Sequence, residues 1–183
     1  MPQPSPTPIQ QHASTPHGLH LRRPRRSDAA GLHELVASSK TLDLNSPYAY
    51  LLLCTHFSET SAVVEAENGF PLGFLGGYLK PSESSVLFVW QIAVVRAARG
   101  HGIGKQLLQD VLNRPSCRHV RYLEATVTPS NAASLALFRS FARTHRAECH
   151  ETPMFAAEDF GRELHEEEVL LHIGPLRGPG DRT

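Results

Sequence analysis

The chain has 183 residues, 40% of them hydrophobic, and its 18 lysines and arginines balance 18 aspartates and glutamates. That length predicts one domain with a proper core, and the zero formal charge argues against nucleic acid as the main partner, because phosphate binding leaves a basic excess. No apolar stretch reaches the length of a membrane span, and the N-terminus lacks the basic and apolar regions of a secretory signal, so a cytoplasmic protein without a membrane partner is expected.

Residues 1–18 are rich in Pro, Gln, Ser and Thr and poor in large apolar groups, so a disordered tail is expected before a domain over 19–173. A short strand over 19–22 comes first. Ser27 is placed to cap a helix over 29–36, with Asp28 in its first turn. Asn45-Ser46-Pro47 opens a second helix running from Tyr48 to about His56, with Pro47 suited to its first position. Strands follow near 62–67 and 72–79, joined by an Asn68-Gly69 hairpin signal. Residues 86–95 are apolar on both faces, as a central strand should be. A glycine-rich turn then leads into a helix that ends before Pro115.

The next strand, 120–128, puts Glu124, Thr126 and Thr128 on one face and Leu123, Ala125 and Val127 on the other. Pro129-Ser130-Asn131 begins a helix through Phe141, and a late strand runs over about 166–173. Residues 174–183 read as a second flexible tail. Mixed strands and helices in this order predict an α/β (α+β) fold, a central mixed sheet flanked by helices. Cys54, Cys117 and Cys149 are odd in number and far apart, the usage of reduced thiols in the cytosol. His145, Cys149 and His150 lack the second ligand pair of a zinc site, so no metal is assigned.

The most informative segment runs from Trp90 through Ile92, Ala93 and Val94 to Arg99-Gly100-His101-Gly102-Ile103-Gly104-Lys105. A strand, a tight turn and a helix start aim several backbone N–H groups at one point, and such amides cradle a pyrophosphate. Gly102 and Gly104 are expected to let the anion approach the main chain without a Cβ in the way. Gly104-Lys105-Gln106 fails the Walker pattern, and Leu107 stands where the dinucleotide fingerprint needs its third glycine. Arg99-x-x-Gly102-x-Gly104 instead resembles the pyrophosphate loop of the GNAT superfamily of acetyl-CoA-dependent N-acyltransferases.

Asn131-Ala132-Ala133-Ser134-Leu135-Ala136-Leu137-Phe138 is similar to a second motif of that superfamily, in which the Asn contacts the coenzyme arm and a Tyr protonates the departing thiolate. Here that position is Phe138, which has no proton to give. The stretches 41–54, Phe70-x-x-Gly73-Phe74-x-x-Gly77-Tyr78, 87–94, 123–131 and His165-Glu166-Glu167-Glu168 resemble the L-2,4-diaminobutyrate acetyltransferase family of ectoine biosynthesis over nearly the whole domain.

The resemblance implies acetyl-CoA as cosubstrate and contacts to it from Ile92–Val94, Arg99–Lys105, Asn131 and Phe138, with the sheet splaying beside Val94. It also implies a homodimer, and an amine site drawn from Asp43, Tyr48, Trp90 and Glu168; an alkyl ammonium must lose a proton before it attacks, and Glu168 or Glu166 is the carboxylate expected to take it. A diamino acid carries two ammonium groups and a carboxylate, so its site needs acidic residues, and alternation puts Glu166 and Glu168 on one face. Two other functions remain open at this point: acetyl transfer to another small amine, such as a polyamine or an antibiotic, and a non-catalytic acetyl-CoA-binding module.

Overall fold

The computed structural model of the protein describes residues 19–39, 42–161 and 165–176. The expected N-terminal tail and residues 177–183 lie outside them.

Strands β1 (His20–Arg22), β2 (Ala62–Glu65), β3 (Pro71–Lys80), β4 (Glu83–Val94), β5 (Tyr122–Val127), β6 (Glu148–Phe155) and β7 (Glu168–Gly174) form one seven-stranded sheet in the order β1-β2-β3-β4-β5-β7-β6. Neighbours are antiparallel except β4 and β5. A parallel step needs a crossover, and α3 (Ile103–Leu112) provides it. α1 (Ala29–Ser39) and α2 (Pro47–Thr55) pack on one face of the sheet against Val63, Phe74 and Ala93. α3 and α4 (Ala132–His145) pack on the other, against Leu75, Leu87, Leu123, Leu171 and Ile173. The expected α/β architecture, helices flanking a mixed sheet, is the one observed.

Helix α3 buries Ile103, Leu107, Leu108 and Val111, the 3.6-residue spacing that marked it in the sequence. Ser46 accepts the Ala49 N–H at 3.4 Å, and Pro47 occupies the first turn of α2 as expected. The start of α1 differs. Ser27 makes no cap; Asp28 ends a short 3₁₀ turn, takes the Arg25 N–H at 2.6 Å and holds Arg22 in an ion pair at 2.6 Å. The longer carboxylate side chain reaches two donors that the serine hydroxyl does not.

Two boundaries move. β6 was not expected, because Glu148, His150, Glu151, Thr152 and Pro153 show no apolar alternation. It is the edge strand beyond β7, with only Cys149 half-buried, and an edge tolerates proline and charge. The C-terminal tail was placed too early. Gly174 pairs with Glu148 in the sheet, Leu176 is buried, and its N–H donates to Arg121 O at 2.6 Å, so residues 174–176 belong to the folded domain.

Candidate active site

The cleft arises from two irregularities of β4. Its pairing with β3 skips from Gly77↔Val89 to Gly76↔Gln91, so Trp90 is a bulged, unpaired residue. The extra residue inverts the strand's inward parity. Leu87 and Val89 belong to the core under α3 and α4, and beyond the bulge the residues packed on that core are Ile92 and Val94. On its other edge β4 pairs with β5 only through Val86↔Tyr122, Leu87↔Leu123 and Phe88↔Glu124. The strands part above that point, and the expected splay beside Val94 is observed.

Charge reinforces the join at its base. Lys80 reaches from β3 to Glu124 on β5 at 2.7 Å, and His172 on β7 approaches the same carboxylate at 2.9 Å. Burial alone pushes the Glu124 carboxyl up, but hydrogen bonds from Lys80 and His172 outweigh it and hold the group below the usual carboxylate range. Above the join lies a cavity of about 840 Å³, with Ile92, Thr126, Asn131, Phe138, Trp90 and Glu168 on its wall.

The glycine turn follows directly from the end of β4. Gly100 and Gly102 have φ of +83° and +74°, a region that side chains with a Cβ rarely adopt. The first intrahelical bond of α3 is Gln106 N–H to Gly102 O at 3.1 Å, so the amides of Ile103, Gly104 and Lys105 have no acceptor among the described residues. Arg99 is tied to the end of β4, donating from Nε to Val94 O at 3.0 Å. His101 carries a buried Nδ1 without a partner among the described residues. The side chains of Ala93 and Ile103 are buried in the two cores, so only their main chains can address a ligand.

Gly104 needs a different explanation from the one expected. A Cβ there would stand 3.0 Å from the Leu137 side chain, so the missing side chain serves the approach of α3 to α4 rather than the approach of an anion. Asn131 caps α4, accepting the Ser134 N–H at 3.1 Å, and Phe138, two turns further along that helix, is buried against the cavity.

Asp43, Glu168 and the unassigned His165 converge at the other end of the cavity, with ligand atoms within 4.8 Å of one another. His165 Nε2 lies 2.8 Å from Asp43 Oδ2, and its Nδ1 lies 2.6 Å from Glu166 O. A carboxylate and a carbonyl only accept, so the protonated ring, with both nitrogens donating, is the form that satisfies both contacts at once. Asp43, then the Glu166 carbonyl, hold its pKa above the ordinary histidine value, with Glu168 adding a smaller pull. The stability this gives is fully present below histidine's ordinary pKa and is lost as the pH rises through the raised value. An imidazolium offers no lone pair, so in this state the trio is an ion-pair cluster rather than a metal-ligand set.

The ring also stacks on Phe160, 3.7 Å between centroids. Asp43 and His165 are 122 residues apart, and no spacing rule links them in the sequence.

Two expected site residues change role. Glu166 lines the cavity, but Ser130 Oγ donates to one of its oxygens at 2.5 Å and Ser130 N–H to the other at 3.3 Å. Its carboxylate is thus occupied in holding the turn before α4, whereas Glu168 has no hydrogen-bond partner among the described residues. Tyr48 does not reach the cavity. α2 turns Tyr50, Leu53 and Cys54 inward, which leaves Tyr48 on the outer face, 66% exposed.

A mixed sheet parted beside a bulged strand, with unpaired amides at the following helix start, defines an acyl-CoA-dependent N-acyltransferase. Residues 30–142 match the Acetyltransferase (GNAT) family. The L-2,4-diaminobutyric acid acetyltransferase of Bordetella parapertussis is 49% identical over 87% of this chain and 86% of its own length. That of Virgibacillus pantothenticus is 46% identical over 84% and 96%. Among solved structures, diaminobutyrate acetyltransferase EctA from Paenibacillus lautus, in complex with its substrate L-2,4-diaminobutyric acid and coenzyme A, superposes with a TM-score of 0.83 at 39% identity, covering 86% of this chain and 95% of that one. The chain belongs to the GNAT acetyltransferase family and, within it, to the L-2,4-diaminobutyric acid acetyltransferases.

Proposed function

We propose that the enzyme transfers the acetyl group of acetyl-CoA to the γ-amine of L-2,4-diaminobutyrate, giving N4-acetyl-L-2,4-diaminobutyrate and CoA in ectoine biosynthesis. The observation that carries this reading is the placement of Asp43 and Glu168 on one cavity with Trp90, at the parting of β4 and β5. Two carboxylates suit a substrate with two ammonium groups. The pyrophosphate of the coenzyme rests on the amides of Ile103 to Lys105 with Arg99 beside them, and its pantetheine arm lies along the unpaired edge of β4 up to Val94.

In the reaction Asp43 pairs with one ammonium of the substrate. Glu168 takes a proton from the other, directly or through one water, and the freed amine attacks the thioester carbon. A main-chain N–H of β4 between the bulge and Val94 meets the oxyanion. The C–S bond then breaks and CoA leaves as thiolate, taking a proton from water or from the new amide nitrogen. The three cysteines are free, which supports a reducing, cytoplasmic location. Assembly as a homodimer, which the sequence resemblance implies, belongs to the same proposal.

A thiol-release assay with a panel of amines tests the substrate. L-2,4-Diaminobutyrate should outperform putrescine, which has no carboxylate; equal turnover of the two would point to a polyamine acetyltransferase, and no thiol release with any amine to a binding module. Phe138→Tyr should change kcat by less than about tenfold, because a thiol with a reference pKa near ~8.5 leaves without an acid. A larger gain with a new alkaline limb in the pH–rate profile would mean that the missing hydroxyl limits the enzyme.

A further inference from the structure

Gln91, the residue after the bulge, is buried on the cavity wall, and its role is not that of a substrate ligand. Its Nε2 donates to the main-chain O of Asp43 at 2.6 Å, so its Oε1 is the acceptor of the Tyr50 hydroxyl at 3.0 Å. Tyr50 is fully buried, wedged edge-on to His33 at 5.4 Å and against Phe74 at 6.3 Å, so packing holds its ring. The same hydroxyl also takes a hydrogen bond from the Asn45 backbone. The loop from Asp43 to Asn45 is therefore fixed at both ends by two side chains from inside the fold, whereas the Asp43 carboxylate itself is largely exposed and, among the described residues, tied to His165 alone.

We infer that Gln91 and Tyr50 are positioning residues: they lock the Asp43 loop to the bulged strand, so that the carboxylate reading the amine and the main chain meeting the thioester move as one unit. The assignment of Asp43 to the amine rests on the acetyltransferase reading above; the mechanical coupling does not. Both bonds are made by neutral groups, one buried and one part-buried, where losing a partner strands a polar atom. Gln91→Met keeps the volume and removes both bonds. Tyr50→Phe keeps the ring packing and removes the bonds of its hydroxyl to Gln91 and Asn45, leaving that of Gln91 to Asp43 O.

The experiment joins kinetics with hydrogen exchange on the full-length enzyme. In Gln91→Met, exchange of the amides of residues 42–46 should accelerate about tenfold, with those of α3 unchanged. KM for L-2,4-diaminobutyrate should rise about tenfold, with kcat within about threefold and CoA affinity unaltered. Tyr50→Phe should give smaller shifts in the same direction. Placed on Asp43→Ala, Gln91→Met should add less than about twofold, because its effect passes through Asp43. The same rise in KM in both backgrounds, or unchanged exchange in the loop, overturns the proposal. The exchange result is read without any amine, so it stands or falls separately from the choice of substrate.

Discussion

Gly102→Val should abolish saturable CoA binding while leaving the fold in place. Gly102 sits at φ +74° as the residue preceding α3, and a β-branched side chain is strongly disfavoured there. A Cβ at this position meets nothing within 4 Å, so the substitution brings strain rather than a clash. The chain relieves that strain by rotating the turn, which carries the amides of Ile103, Gly104 and Lys105 away from their common focus. Hydrogen bonds to a charged group are worth about 1.5–3 kcal/mol each, so misaiming two of them lowers affinity by at least about a hundredfold. Calorimetric titration with CoA reads the affinity, and far-UV circular dichroism reads the fold. Affinity within threefold of wild type in a folded variant would remove the turn from the coenzyme site. Gly104 would be the wrong position for this test, because its missing Cβ accommodates Leu137 and a substitution there disturbs the α3–α4 packing first.

That distinction marks how far the sequence could be read. α3 was plain because Ile103, Leu107, Leu108 and Val111 repeat at helical spacing and the structure buries them all. The glycine turn was plain because its unpaired amides are consecutive main-chain groups. β6 carried no signal, since an edge strand with both faces exposed has no need of alternation. The bulge at Trp90 was hidden for a related reason: a strand apolar on both faces conceals a change of parity. Roles built across distant segments were the hardest to see. The clamp of His165 on Asp43 and the anchoring of Asp43 by Gln91 join residues from separate elements, and nothing local to any of them records the partner. Tyr48 went the other way. Its helix was correctly expected, but the inward face of α2 begins at Tyr50.

Glu168→Gln should lower kcat/KM for L-2,4-diaminobutyrate by a hundredfold or more near neutral pH while leaving CoA affinity within a few fold. The carboxylate stands at the start of β7 on the cavity wall, across from Asp43 and His165, without a hydrogen-bond partner among the described residues. Glu166, its neighbour, is already engaged by Ser130 through both oxygens. An alkyl ammonium with a pKa near ~10 is neutral in only about one molecule in three hundred at pH 7.5. A base in the site couples proton removal to attack, whereas glutamine leaves the reaction to that small neutral fraction. The variant should therefore gain about tenfold in kcat/KM for each unit of rising pH, and the gap to wild type should narrow toward the alkaline end. Loss of the His165 proton as the pH rises slackens its hold on Asp43 in both enzymes alike, so the ratio between the two profiles reports Glu168. Activity within tenfold of wild type at pH 7.5, with a pH–rate profile parallel to that of wild type, would return Glu168 to a binding role and place the proton acceptor elsewhere.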